Sequence, residues 1–247
     1  MRLLRNVFAR LWAFWGLVTF VITFLIFFLP SMLAHLIKDP KKSQAFFIQV
    51  SRVWMHVWLF LVGCPVTIRG KENFHEGENY IVVFNHNALL DVPLSAPFVE
   101  GANKTIAKSS FAKVPIFGAF YRKGAILVDR KDEKSRIRSY EEMKRILAMG
   151  IHMCIYPEGT RNRTKEPIKQ FYDGAFKLAV DTGKDILPCI ITGTSRAMPI
   201  HETFFLLPTR LGMEFMPPIS PAGKTSKALK DEVFQLMTAR FVALNKN

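Results

Sequence analysis

YIVVFNHNALLD, at residues 80–91, joins five largely apolar residues directly to a polar segment that holds one histidine and one aspartate. A short apolar run of this kind is typical of a strand that is buried on both faces of a parallel sheet. In α/β proteins, ligands bind just beyond the carboxyl ends of such strands. The stretch therefore predicts a central strand that ends at a functional site.

Similar short apolar runs recur on both sides of this stretch, separated by segments with helical periodicity. Strands that alternate with helices predict an α/β fold, in which helices flank a largely parallel sheet. The candidate strands are residues 66–69, 80–84, 125–128, 152–156, 186–191 and 212–216. The candidate helices are residues 135–149, 173–182 and 226–243, with Ser135 and Ser226 as N-caps and with Gly150 and Gly183 as stops.

The N-terminal segment has a different character, because it contains no charged residue between Leu11 and Ala34. At 1.5 Å per residue, about 20 residues make a helix of roughly 30 Å, the thickness of a bilayer core. A second apolar run, at residues 46–62, carries its polar residues on one helical stripe. We expect this helix to be amphipathic, with Trp54 and Trp58 at the membrane interface.

Positive charge surrounds these two runs, in a chain whose net charge is +14. Residues 1–60 contain one acidic residue and seven basic ones, which are Arg2, Arg5, Arg10, Lys38, Lys41, Lys42 and Arg52. Because basic clusters lie on both sides of the first apolar run, a hairpin dipping into one leaflet keeps both on the same anionic surface. A single-span anchor is the alternative. We predict a membrane-associated helical hairpin at residues 1–62, an α/β domain at residues 63–247, and a location at the cytoplasmic face of the cell membrane.

Two classes of ligand receive no support from the sequence. The three cysteines, Cys64, Cys154 and Cys189, have no CxxC or metal-ligand spacing, so we predict neither a metal site nor a disulfide framework. The positive charge would suit nucleic acid, but the chain has no zinc-finger, RRM-like or basic-zipper pattern. We therefore expect anionic lipid, and no nucleic acid, as the partner.

His86 and Asp91 are the candidates for catalytic chemistry. They are five residues apart, so they would not meet on one continuous helix. They can meet if His86 ends the strand and Asp91 opens the next helix, and the aspartate would then fix the histidine tautomer and leave the other ring nitrogen as a base. No GxSxG nucleophile is present, so the reacting hydroxyl could belong to the substrate. On this spacing alone, a structural histidine is the alternative.

Two further candidate strands also end in polar residues, and each delivers an arginine. Arg130 follows the strand at 125–128, and the segment PEGTR at 157–161 follows the strand at 152–156. A guanidinium group is planar and permanently charged, which suits phosphate. In the second segment, Gly159 allows close backbone approach and Thr160 can add a hydroxyl donor. An ordinary surface charge is the alternative for either arginine.

Taken together, these residues resemble the 1-acylglycerol-3-phosphate acyltransferase family. Four motifs carry the resemblance in the right order, over roughly residues 65–217. They are NHxxxxD at Asn85 to Asp91, a glycine followed by apolar residues and arginine at Gly124 to Arg130, the F/Y-P-E-G-T-R motif at Tyr156 to Arg161, and an apolar run that holds Pro188. This chain has Ala88 and Tyr172 where the family often has serine and lysine.

The resemblance implies roles for particular residues and for a substrate. His86 would be the general base and Asp91 the residue that orients it. The acceptor-binding residues would be Asn85, Lys108, Gly124, Arg130, Glu158, Gly159, Thr160, Arg161 and Pro188. The reaction would transfer a fatty acyl chain from acyl-carrier protein or coenzyme A to the sn-2 hydroxyl of 1-acylglycerol-3-phosphate, forming phosphatidic acid in phospholipid biosynthesis without a bound cofactor.

Two other functions remain open at this point. One is the same chemistry on another lysolipid acceptor, such as an amino-acid lysolipid or a lipid A precursor. The other is a non-catalytic module that docks on anionic membranes through its basic N-terminus, which would leave the HxxxxD and PEGTR segments unexplained.

Overall fold

The computed structural model describes residues 2–129 and 131–245. The chain begins with two long helices, α1 (Arg2–Met32) and α2 (Pro40–Leu61). Helix α2 begins at Pro40 because the Asp39 side chain accepts a hydrogen bond from the Lys42 N–H at 2.7 Å, and because proline suits the first helical position. The two helices pack against each other along their length.

Across the described residues, seven strands form one sheet in the order β1-β7-β6-β2-β5-β3-β4. The strands from β6 to β4 are mutually parallel, β7 is antiparallel to β6, and β1 is parallel to β7. The predicted largely parallel sheet is confirmed. Strands β1 and β7 therefore begin at the edge where the other strands end. The strands are β1 (Val66–Arg69), β2 (Ile81–Phe84), β3 (Asn103–Lys108), β4 (Ala125–Val128), β5 (His152–Ile155), β6 (Ile186–Thr192) and β7 (Leu211–Phe215).

The remaining α-helices lie in the connections between the strands, except α8, which follows the last strand. They are α3 (Asp91–Ser95), α4 (Phe117–Gly124), α5 (Glu133–Ala148), α6 (Gly174–Thr182), α7 (Thr194–Ala197) and α8 (Ser226–Asn245). The predicted helix stops are confirmed, since Gly150 and Gly183 have the positive φ angles of +73° and +65° that end a helix. The predicted N-cap Ser135 is wrong: α5 is capped by Asp132, whose side chain accepts from the Lys134 N–H.

Strand β3 and helix α4 were not predicted. Strand β3 has the sequence NKTIAK, in which lysine and asparagine interrupt the apolar pattern of a buried strand. Its Asn103 is nevertheless fully buried, and the Asn103 side chain and carbonyl oxygen both take part in hydrogen bonds. The strand is therefore held in the sheet by tertiary contacts that a local pattern does not reveal.

The two faces of the sheet are covered by different helices. Val82 and Phe84 of β2 belong to a hydrophobic cluster that includes side chains of α1 and α2. Ile81 and Val83 point to the other face, whose cluster includes side chains of α5, α6 and α8. The N-terminal helix pair is thus packed on one face of the sheet, in one continuous cluster with it.

Trp54 and Trp58 of α2 are buried in this cluster, with 3% and 4% of their surface exposed. Their indole N–H groups donate to Thr23 Oγ1 at 2.9 Å and to the Gly16 carbonyl oxygen at 3.0 Å, both on α1. The prediction that they lie at the membrane interface is wrong, because the apolar face of α2 packs against α1 and the sheet.

The outer face of α1 is apolar and exposed. Its exposed side chains include Leu3, Leu4, Val7, Leu11, Phe14, Leu17, Ile22, Leu25, Ile26 and Leu29. Among the described residues, one helical segment, Arg2–Leu36, is long and apolar enough by length and composition to cross a membrane. This surface is suited to contact with lipid.

We expect Trp54→Ala to lower the free energy of unfolding of the whole chain by about 3–5 kcal/mol, because it removes a large side chain shared by the helix pair and the sheet. Chemical unfolding in detergent, followed by circular dichroism, measures the loss. The matched change Val57→Ala, at an exposed position of the same helix, should alter stability by no more than about 0.5 kcal/mol. Unfolding of the sheet at an unchanged denaturant concentration in Trp54→Ala would contradict the shared core.

Candidate active site

His86 and Asp91 lie side by side beyond the end of β2. Strand β2 ends at Phe84, a turn follows, and Asp91 opens α3. The distance from His86 Nδ1 to Asp91 Oδ2 is 2.8 Å. The structure therefore brings the two side chains together in the arrangement that their spacing required, while their catalytic roles stay predictions.

The environment of Asp91 determines which ring nitrogen of His86 is free. Asp91 is fully buried, and its Oδ2 also accepts the backbone N–H groups of Asn87 at 2.6 Å and Ala88 at 2.8 Å. A carboxylate oxygen accepts hydrogen bonds and does not donate them, so His86 Nδ1 carries the hydrogen of the bond to Asp91. His86 Nε2 then has a free lone pair and bonds to no residue that the structure describes. The His86 side chain is 14% exposed, so a substrate can reach it.

Tyr156, the residue after β5, holds His86 and α3 in place. Its ring packs against the His86 ring with centroids 4.4 Å apart. Its hydroxyl donates to the Asp91 carbonyl oxygen at 2.9 Å and lies 2.6 Å from Ser95 Oγ. Burial raises the pKa of Tyr156 well above its ordinary value, which keeps the hydroxyl protonated. The sequence identified Tyr156 as a motif position but gave no signal of this supporting role.

Glu158 was predicted to bind the acceptor, but in the structure its carboxylate bonds to backbone groups of the chain itself. Glu158 is fully buried, and its Oε1 accepts the His86 N–H at 2.6 Å while its Oε2 accepts the Lys169 N–H at 2.9 Å. Burial raises the pKa of this carboxyl to about 7, while the two N–H donors oppose the shift. The Asn162 N–H donates to the His86 carbonyl oxygen at 2.7 Å. The segment after β5 therefore holds the backbone of His86 on both sides.

Candidate phosphate-binding groups lie at the same edge of the sheet. Arg161 is half-buried, and its side chain makes no hydrogen bond or ion pair with the described residues. Lys108 is exposed at the end of β3, the strand next to β5. The Thr160 hydroxyl is exposed and accepts from Lys169 Nζ at 2.9 Å. The sequence did not single out Lys169, which is eight residues beyond the PEGTR motif and reaches it only in the folded chain.

Gly159 is required by the shape of this turn. Its φ angle is +69°, and a Cβ atom at this position would lie 2.7 Å from the Tyr172 ring. A larger residue would therefore strain the backbone and displace Tyr172. Whether the backbone of Gly159 also contacts the acceptor stays a prediction.

Three other predicted acceptor-binding residues are buried or lie away from this edge of the sheet. Asn85 is fully buried and bonds the Ile191 backbone through both amide atoms, which ties the end of β2 to β6. Gly124 ends α4 before β4, where a Cβ atom would lie 2.9 Å from Phe47 of α2. Pro188 is buried in the middle of β6, paired with Val83. All three are packing or hydrogen-bonding positions of the fold. The predicted Arg130 lies outside the described residues.

The family model described as Acyltransferase matches residues 65–192, a region that holds the whole of this site. The chain belongs to the acyltransferase family. The solved structure of the 1-acyl-sn-glycerophosphate acyltransferase from Thermotoga maritima has the same fold as this acyltransferase, with a TM-score of 0.81, 23% identity, and 100% and 99% of the two chains covered.

Curated relatives match more than two thirds of this chain. The 1-acyl-sn-glycerol-3-phosphate acyltransferase alpha of Mus musculus is 30% identical over 187 residues, covering 74% of this chain and 65% of the relative. The 1-acyl-sn-glycerol-3-phosphate acyltransferase of Chlamydomonas reinhardtii is 29% identical over 177 residues, covering 68% of this chain and 52% of the relative. The chain thus spans about half to two thirds of the length of these relatives.

We expect Glu158→Gln to lower the kcat of this acyltransferase and to leave the KM for the acceptor nearly unchanged. The amide keeps one acceptor oxygen and turns its NH₂ towards the other N–H donor, which costs about 1–3 kcal/mol and loosens the backbone of His86. Steady-state kinetics separates the two parameters. The matched change Glu166→Gln, at an exposed position of the same segment, should alter neither. A rise in KM with an unchanged kcat would show that Glu158 binds the acceptor after all.

Proposed function

We propose that this protein transfers a fatty acyl chain from a thioester to the sn-2 hydroxyl of 1-acylglycerol-3-phosphate and forms phosphatidic acid. The observation that supports this most strongly is the free Nε2 of His86, held by a buried carboxylate beside cationic groups that are suited to phosphate. The names of the relatives point to the same acceptor. The acyl donor is the thioester of acyl-carrier protein or coenzyme A, and no bound cofactor takes part.

The reaction uses His86 as a general base. The acceptor hydroxyl gives its proton to Nε2 as its oxygen attacks the thioester carbonyl carbon. The new C–O bond forms, the C–S bond breaks, and the thiolate takes the proton back from the imidazolium and leaves as a thiol. Asp91 stabilises the imidazolium through Nδ1–H. General-base catalysis of this kind contributes about 100-fold to 10,000-fold in rate.

Cationic groups position the acceptor for this step. Arg161, whose guanidinium is unpaired among the described residues, is the first candidate for the phosphate, with Lys108 from the neighbouring strand. Charge-assisted hydrogen bonds to a phosphate at this edge would hold the hydroxyl near His86. Orientation of this kind can contribute more to the rate than the base itself.

The membrane supplies the acceptor, and the N-terminal helices keep the enzyme there. The exposed apolar face of α1 supports contact with lipid, and the basic residues at both ends of the first apolar run support a hairpin on one surface. We place this surface at the cytoplasmic face of the cell membrane. His86 lies on the sheet face that α1 and α2 cover, because Tyr156 packs against both His86 and Phe84.

We expect His86→Ala to lower kcat by about 100-fold to 10,000-fold, because it removes the base. Mass spectrometry of the product formed from labelled acyl thioester and a panel of lysolipids measures the loss. The matched change His56→Ala, at an exposed position of α2, should retain full activity, and both variants should sediment with vesicles. Substantial residual activity in His86→Ala would exclude this base.

We expect Arg161→Ala to raise the KM for 1-acylglycerol-3-phosphate by roughly 10-fold to 100-fold, the equivalent of one or two hydrogen bonds to a charged group. Acceptors without a phosphate should be affected far less, which the same lysolipid panel measures. Arg163→Ala serves as the control, since Arg163 is exposed two residues further on. An equal loss for all acceptors would contradict a role in phosphate binding.

A further inference from the structure

We propose that residues 109–116 form a second membrane-contact element, separate from α1, that inserts between the headgroups of an anionic lipid bilayer. We call these residues the 109–116 loop. The proposal rests on the membrane location proposed above and deepens it, because it assigns a lipid contact to the catalytic edge of the sheet. The occupant of the loop surface is a lipid bilayer with anionic headgroups.

The 109–116 loop exposes three large apolar side chains that are close together in sequence. Phe111, Val114 and Ile116 are 41%, 46% and 52% exposed. At the same edge, Leu89 is 56% exposed only three residues after His86. Single exposed apolar residues are common on soluble proteins, but several on one short loop are typical of a contact with lipid or with another protein.

The backbone holds these side chains outward. Ile116 has φ +63° and ψ −56°, a conformation that a β-branched residue rarely adopts and that costs about 1–3 kcal/mol. Several hydrogen bonds fix the loop, among them one from the Gly118 N–H to the Val114 carbonyl oxygen at 2.7 Å and one from Arg122 to the Ala112 carbonyl oxygen at 2.9 Å. A Cβ atom at Gly118 would lie 2.3 Å from that Ala112 oxygen, so glycine is required there. The loop is thus built to present Ile116 rather than to bury it.

The loop lies next to α1 and at the catalytic edge. It begins where β3 ends, at the sheet edge where β2 also ends. It leads into α4, whose Phe117 and Phe120 pack against Phe24 of α1 with ring centroids 5.3 Å and 5.7 Å apart. The helix that directly follows the loop therefore packs against α1, the helix that carries the exposed apolar surface.

The charges of the loop favour an anionic bilayer. Lys108 and Lys113 flank Phe111 and are exposed, and neither forms an ion pair within the described residues. Basic side chains interleaved with apolar ones are typical of elements that lie in the membrane interface, where the cations meet lipid phosphates. An acidic carrier protein would also be attracted by the lysines, and binding of such a protein is one of the outcomes that would overturn the proposal.

This contact would determine how the acceptor reaches the base. With α1 and the loop both in lipid, the edge that carries His86 lies at the depth of the headgroups. A lysolipid could then present its hydroxyl to His86 without leaving the bilayer.

A cysteine-labelling experiment tests the proposal, because the three native cysteines are fully buried and an introduced surface cysteine is labelled selectively. An environment-sensitive fluorophore is attached to Val114→Cys in the full chain, which is then mixed with phosphatidylglycerol vesicles that contain a quencher lipid. Ile22→Cys on α1 reports on the membrane location. Val180→Cys is the matched control, since Val180 is 38% exposed on α6, at the opposite face of the sheet.

We expect the probes at 114 and 22 to brighten several-fold and to be quenched by the lipid, and the probe at 180 to change little. Lys113→Gln, or vesicles without anionic lipid, should weaken the response at 114. A response at 22 without one at 114 would overturn the loop proposal and leave the membrane location intact. No response at either position would exclude both. Equal responses at 114 and 180, or a response at 114 only to acyl-carrier protein, would also overturn it.

Discussion

The site depends on one buried carboxylate. The Oδ2 atom of Asp91 accepts the His86 ring and two backbone N–H groups of the turn between them, so one oxygen both shapes the chain after β2 and orients the imidazole. The segment after β5 completes the support, because Tyr156, Glu158 and Asn162 hold His86 by its ring, its N–H and its carbonyl oxygen. The segments that follow two adjacent parallel strands therefore hold His86 from both sides.

Local pattern was sufficient for the parts of the fold that depend on local chemistry. The sequence located the apolar runs of β2, β5 and β6 and the glycines at the helix ends. Burial on both faces of a strand requires apolar residues, and a positive φ angle favours glycine, so both features are visible in the residue types. Strand β3 could not, since its lysines break the pattern and its buried Asn103 is satisfied only by partners distant in the chain. Trp54 and Trp58 were misplaced for a related reason. An apolar helix face suits lipid and core equally well, and only the packing against α1 distinguishes them.

The candidate site, too, was predicted only as far as local sequence reveals it. Motif spacing placed His86 beside Asp91 and brought Thr160 and Arg161 to the same edge, because parallel strands end together. Motif spacing did not distinguish residues that face a substrate from residues whose side chains support the fold. Asn85 and Glu158 lie within the motifs, but their polar side-chain atoms form hydrogen bonds with backbone groups that are distant in sequence. Lys169 shows the reverse, since it reaches Thr160 from outside any motif.

The reversed direction of β1 and β7 has a consequence for how the N-terminal helices are joined to the sheet. Because β1 begins at the edge where β2 ends, the polypeptide passes from α2 into the sheet on the catalytic side, through only the short segment from Val62 to Pro65. A fully extended segment of this length spans roughly 14 Å at most. This short segment limits how far the C-terminal end of α2 can lie from the start of β1, so the helix pair and the sheet are held as one unit rather than joined by a flexible linker.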